Sequence, residues 1–200
     1  MKKSNENDIL ETTLSIAEKG YPEAYQFLLN AYKESPSSFG PQTFYFLACL
    51  ADGPGAALAW LRKAIQENNW WYRPEVLEDE DLAAPQKDGA FLSLKAISDE
   101  RYADALSQAE AIFSWKKKTA DNLFLAIHGN TQNGHVARTD WEPIVGTGGL
   151  WQLETVQSAE PDGYGTYRWS YDSTSYLPVA NSLERVQTQG YQNIACGGFS

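Results

Sequence analysis

Residues Asn122-Leu-Phe-Leu-Ala-Ile127 form an apolar run that ends in His128-Gly129-Asn130. A strand with one wet face alternates polar and apolar residues; a strand buried on both faces in a parallel sheet does not. Such a strand needs neighbours on its edges and helical crossovers to reach them. The sequence downstream supplies both. Asn133–Val145 reads as a helix carrying Val136, Trp141 and Ile144, closed by Gly146-Thr-Gly-Gly149, and Trp151–Val156 reads as a second strand. Ala159–Asp172, rich in glycine, proline and tyrosine, reads as a loop. Leu177–Gln189 is amphipathic through Leu177, Ala180, Leu183 and Val186 and ends at Gly190; Asn193–Cys196 is a third buried strand. This order predicts a mainly parallel, three-layer α/β arrangement with right-handed crossovers.

The first half has a different period. Gly20-Tyr-Pro-Glu-Ala24-Tyr-Gln-Phe-Leu28-Leu-Asn-Ala31-Tyr32 aligns without a gap on Gly53-Pro-Gly-Ala-Ala57-Leu-Ala-Trp-Leu61-Arg-Lys-Ala64-Ile65, 33 residues further on. In both copies glycine ends one helix and proline or glycine opens the next. Ile9, Leu14 and Ala17, then Phe44, Leu47, Ala48 and Leu50, supply the first helix of each pair. The helix after Gly53 stops at Asn68-Asn-Trp-Trp-Tyr-Arg-Pro, and the acidic run Glu78–Asp81 reads as a solvated, helix-starting face. Phe91, Leu92, Leu94 and Ile97 mark one later helix. Tyr102, Leu106, Ala109, Ile112 and Phe113 mark another, with a break near Asp99-Glu100. The expected domains are 1–118, helical, and 119–200, α/β.

Composition narrows the function. With 16 Lys and Arg against 26 Asp and Glu the net charge is -10, which argues against nucleic acid or an anionic membrane surface as a partner. The basic run Lys116-Lys117-Lys118 is short and reads as a solvated connector. The longest apolar run, Phe44–Ala51, is far below the ~20 residues that span a bilayer, and no apolar segment follows Lys2 and Lys3 as in a signal peptide. A cytoplasmic protein is expected. Cys49 and Cys196 lack disulfide or metal spacing and are expected to be buried and reduced. No cofactor and no metal site is expected.

Two family resemblances follow from these residues. Tyr45-Phe-Leu-Ala-Cys-Leu-Ala-Asp-Gly with Ala57-Leu-Ala-Trp-Leu-Arg-Lys-Ala-Ile resembles a tetratricopeptide repeat, a likeness covering about residues 9–68. Leu125-Ala-Ile-His-Gly-Asn130 at one strand end and Gly198-Phe-Ser200 at another resemble the α/β-hydrolase family. There a nucleophilic serine stands on a sharp strand-to-helix turn. The resemblance implies that Ser200 is the nucleophile of an ester or thioester hydrolase and that the backbone of Gly129 or Asn130 supplies one oxyanion donor. It implies that His128 braces the oxyanion loop and is not the base.

In the family's chain order the acid and the base histidine follow the serine. His135 and the acids Asp121, Asp140, Asp162 and Asp172 all precede Ser200. The 200 residues as they stand are therefore expected to carry an α/β domain incomplete at its carboxyl end and inactive towards esters. Tyr164, Tyr167, Trp169 and Tyr171, with Arg168 among them, form a candidate substrate loop for an apolar acyl or aryl group. The alternative reading is a non-catalytic module whose helical repeats bind a peptide or protein partner, with Tyr25, Tyr32, Trp60, Trp70 or Trp71 lining the groove.

Overall fold

Proline sits in the first turn of α2 (Tyr21–Glu34), α3 (Pro41–Cys49) and α4 (Pro54–Arg62). There its missing N–H breaks no helical bond and its φ is already helical. With α1 (Glu6–Ala17) these make the two expected pairs, α1 on α2 and α3 on α4. The computed structural model describes residues 6–146 and 148–198. Contacts divide the chain into two units, 1–102 and 103–200, so residues 103–118 fall with the second.

In the first unit Leu10, Ala24, Leu28, Leu47 and Leu50 form one core cluster. Phe44, Leu61, Ile65, Leu77, Leu82 and Phe91 are central to a second. Ala24, Ala57 and Ala64 are buried, and Ala31 is half-buried. α4 runs into a π turn at Lys63–Glu67, and the chain leaves it through Asn69, whose φ is 58°. The acidic run lies in short 3-10 turns, where Asp79 accepts the Tyr45 hydroxyl at 2.6 Å and the Asp81 N–H at 2.9 Å. α5 (Gly89–Gln108) is one helix of 20 residues where a break near Asp99 was expected. Asp99 pairs with Lys95 one turn earlier at 2.8 Å, an arrangement that supports a helix rather than ending it. Ser98 and Arg101 bond the Tyr72 backbone and the carbonyls of Ile65 and Trp70.

The second unit is built on a four-stranded sheet. Its strands are β1 (Ile112–Phe113), β2 (Asn122–Ile127), β3 (Trp151–Gln157) and β6 (Asn193–Gly198), in the order β1-β3-β2-β6. β2 pairs in parallel with both β3 and β6, as its apolar run predicts. β1 pairs antiparallel with β3, so Ile112 and Phe113 are strand rather than helix. β4 (Pro161–Gly163) and β5 (Thr166–Tyr167) form a small hairpin inside the expected loop, turning at Gly165 with φ 75°.

α6 (Gly134–Val145) packs on β2 and β3, with Ala137 and Trp141 against Phe124, Ala126 and Leu153. α7 (Leu177–Gln187) packs near β1 and β3 and buries Ser182 and Val186, while Leu177, read as part of its apolar face, is 52% exposed. The Ser182 hydroxyl donates to the Pro178 carbonyl at 2.6 Å, which makes its burial inexpensive. β6 differs from the buried strand expected. It has one neighbour among the described residues, so its side chains are half-buried or exposed, and Cys196 is exposed. Among the described residues no helix is long and apolar enough to cross a membrane.

Candidate functional site

The pairing of β2 with β6 sets the geometry. Ile127 stands opposite Gly198, so His128-Gly129-Asn130 follows directly from the strand beside the one that ends in Gly198. Phe199 and Ser200 lie outside the described residues. The glycines before them serve packing. A Cβ on Gly197 would lie 2.6 Å from Phe124 Cζ and 2.8 Å from the Trp141 ring, and one on Gly198 would lie 3.0 Å from the Ile127 carbonyl oxygen. The Phe124 and Trp141 rings meet 4.5 Å apart, tilted by 39°, in the space that Gly197 leaves open.

His128 is 1% exposed. Its Nε2 accepts the Ser158 N–H at 3.1 Å, which leaves Nδ1 to donate to the Gly129 carbonyl at 2.7 Å. This is the Nδ1-protonated, neutral tautomer. Burial pushes its pKa below the ordinary histidine value, and the Gly129 bond opposes that only in part. Trp169 stacks on the ring at 4.9 Å, and its Nε1–H donates to the His128 carbonyl at 2.8 Å. A histidine with both nitrogens bonded inside the fold can brace a loop; it has no nitrogen free to take a substrate proton.

The loop after His128 is a tight turn. Gln132 N–H donates to the Gly129 carbonyl at 3.3 Å, and Thr131 adopts a φ of 62°, an uncommon left-handed value for a threonine. Gly129 N–H donates to Gln132 Oε1 at 3.0 Å. Asn130 Oδ1 accepts the Trp169 N–H at 2.7 Å, and the Gln132 carbonyl accepts the Tyr167 N–H at 2.7 Å. Of the two candidate oxyanion donors, Gly129 is thus engaged within the turn. The Asn130 N–H has no acceptor among the described residues, and Asn130 is exposed.

The candidate substrate loop divides. Tyr167 and Trp169 come to His128, whereas Tyr164 at the hairpin tip and Tyr171 point to solvent, 48% and 102% exposed. Arg168 ion-pairs with Glu160 at 3.9 Å, and Glu160 also accepts from Ser170. Gln132, Ser158 and Glu160, which hold these loops, carry no signal in the sequence, since each acts through a contact made only once the loops meet.

The remaining candidates lie elsewhere. His135 is an exposed residue in the first turn of α6. Asp172 caps the turn before α7, and the Thr174 N–H and hydroxyl hold its carboxyl below the usual range. Asp121 pairs with Lys118 at the amino ends of the strands, and Lys118 also donates to the Gly190 carbonyl, so the basic run is not wholly solvated. Cys49 is half-buried and its thiol is pushed up to about 12 by burial. Among the described residues no three His, Cys, Asp or Glu side chains come together as metal ligands. In the helical unit Trp60 Nε1–H donates to Tyr25, and Lys63 donates to Tyr32. Trp70 and Trp60 meet Phe44 edge-on, and Trp71 packs on Tyr102, so these aromatics engage one another.

Residues 5–106 match a family model described as an A/B hydrolase-like, N-terminal domain. The chain belongs to this family. The match falls on the helices read above as tetratricopeptide-like and stops before the sheet. Among curated proteins, no relative matches the chain. A crystal structure of an uncharacterized protein from Bacillus cereus ATCC 10987 is similar at 22% identity, with a TM-score of 0.48. The similarity covers 98% of this chain and 65% of that one, so the chain spans about two thirds of the length of that protein.

Proposed function

We propose that the protein is a serine hydrolase of the ester or thioester type, with Ser200 as nucleophile, Asn130 as an oxyanion donor and His128 as the brace of the oxyanion loop. The sheet unit, in this reading, belongs to a three-layer α/β-hydrolase domain, and α1–α4 with their 33-residue offset form a tetratricopeptide-like unit ahead of it. One observation carries it. The Ile127–Gly198 pairing brings the start of an exposed loop with an uncommitted N–H beside the strand that leads, two residues later in sequence, to a serine. Ligands in open α/β sheets gather at the carboxyl ends of strands where the connections reverse direction. Here β2 connects through α6 to β3 on one side, and β3 returns through α7 to β6 on the other.

The chemistry follows from these roles. Ser200 Oγ attacks the acyl carbon while its proton passes to a histidine base. The carbonyl oxygen takes up the negative charge against the Asn130 N–H and the N–H of the residue after the serine. The carbon–oxygen or carbon–sulfur bond to the leaving group breaks, the alcohol or thiol departs with the proton, and water releases the acid from the acyl-enzyme. The proposal requires an acid and a histidine after Ser200 in the chain order of the family.

The test is turnover of p-nitrophenyl esters and acyl thioesters by the full-length protein. Ser200→Ala is expected to lower kcat by roughly 10⁴-fold or more. Turnover unchanged by Ser200→Ala contradicts the proposal.

A further inference from the structure

Gln132 uses three of its polar groups on the loop that follows His128. Its side-chain oxygen takes the Gly129 N–H at 3.0 Å, its own N–H closes the turn on the Gly129 carbonyl, and its carbonyl takes the Tyr167 N–H from β5. Gly129 therefore has both backbone groups engaged, the carbonyl also accepting from His128 Nδ1. The next N–H along the chain, that of Asn130, has no acceptor among the described residues; the residue is exposed, and its side chain accepts the Trp169 N–H.

We infer that Gln132 is a positioning residue of this active site: it engages the Gly129 N–H and so fixes the turn in which Asn130 N–H is the loop's single oxyanion donor. The inference rests on the hydrolase reading above and adds a residue to it. An amide that points at developing charge helps only if it is held there before the reaction, since reorienting it during the step would cost the energy it is meant to supply. Thr131 at φ 62° is the strained link in this turn, and a strained backbone persists only where surrounding contacts enforce it. The Gln132 side chain and backbone are the contacts that do so. A side chain that merely blocked Gly129 would act in the opposite sense, and its removal would speed the reaction.

The experiment uses the full-length protein with Gln132→Met, which keeps the length of the side chain and removes the acceptor, together with Ser200→Ala. Gln132→Met is expected to lower kcat about 10- to 100-fold with KM within twofold, because the oxyanion bond forms only in the transition state. Ser200-dependent turnover with kcat unchanged or raised in Gln132→Met overturns the inference and leaves the hydrolase reading standing. Absence of Ser200-dependent turnover in the wild type overturns both. Amide exchange supplies a second measurement should the methionine variant fail to fold. In the wild type Gly129 is expected to be protected and Asn130 fast, and Gln132→Glu, whose carboxylate still accepts, is expected to retain Gly129 protection. Equal protection of the two amides in the wild type overturns the inference.

Discussion

In the helical unit aromatic rings face one another: Tyr32, Phe44, Trp60 and Trp70 meet edge to face with centroids 5.1 to 5.6 Å apart. At the carboxyl end of the sheet the aromatic residues face polar groups. Trp169 lies flat on a neutral histidine and hydrogen-bonds its carbonyl, and Tyr167 is tied by its backbone to Gln132. The α6 side of the sheet is packed by small residues, Ala126 and Ala137, around one Phe124–Trp141 pair. One unit is ordered chiefly by apolar packing, which is non-directional and tolerates some rearrangement. The loops of the other are ordered by directional bonds, which fix the aim of single N–H groups. That is the property a site for developing charge needs.

The largest effect that would sharpen this contrast is in the helical core. Phe91, 2% exposed, packs in the cluster with Leu61 and Ile65; Phe91→Ala is expected to destabilise that unit by about 3–5 kcal/mol. Amide exchange read separately over residues 6–102 and 103–198 checks it, and equal acceleration in both ranges would break the contrast. A smaller effect is expected from Gly197→Ala, whose Cβ would enter the space of Phe124 and Trp141. The loss is about 1–3 kcal/mol, confined to β2, β6 and α6 in the same measurement.

The smallest is a pH dependence. His128 has a lowered pKa in the folded protein, so its contribution to stability is complete above the ordinary histidine value near 6.5 and is lost as pH falls from there through the folded value. The melting temperature of the sheet unit is expected to fall as pH drops below about 6.5, and less so in His128→Gln. A His128→Gln variant with the same fall would show that other groups carry it.

Much of the fold was legible because it rests on local patterns. The apolar run of β2 marked a buried parallel strand, and the Gly-Pro punctuation marked α2 and α4. The misses came where pairing decided the outcome. Ile112-Phe113 is strand because β3 offers an edge, and α5 continues past Asp99, where Lys95 pairs with it and Ser98 and Arg101 bond the backbone of Tyr72, Ile65 and Trp70. The site was legible only as far as its motif. His-Gly marked the loop, but the bond from the Gly129 N–H to Gln132 forms only through the turn at Thr131. Nothing in the sequence marked Gly197 as a packing residue, and in the fold it clears room for rings from β2 and α6.

The most direct measurement of the central claim is mass-spectrometric mapping of the full-length protein after reaction with a fluorophosphonate, whose phosphonyl oxygen occupies the place of the oxyanion. A single covalent adduct on Ser200 is expected, formed more slowly in a Gln132→Met variant. An adduct on another residue, or none on Ser200 in folded protein, would contradict it.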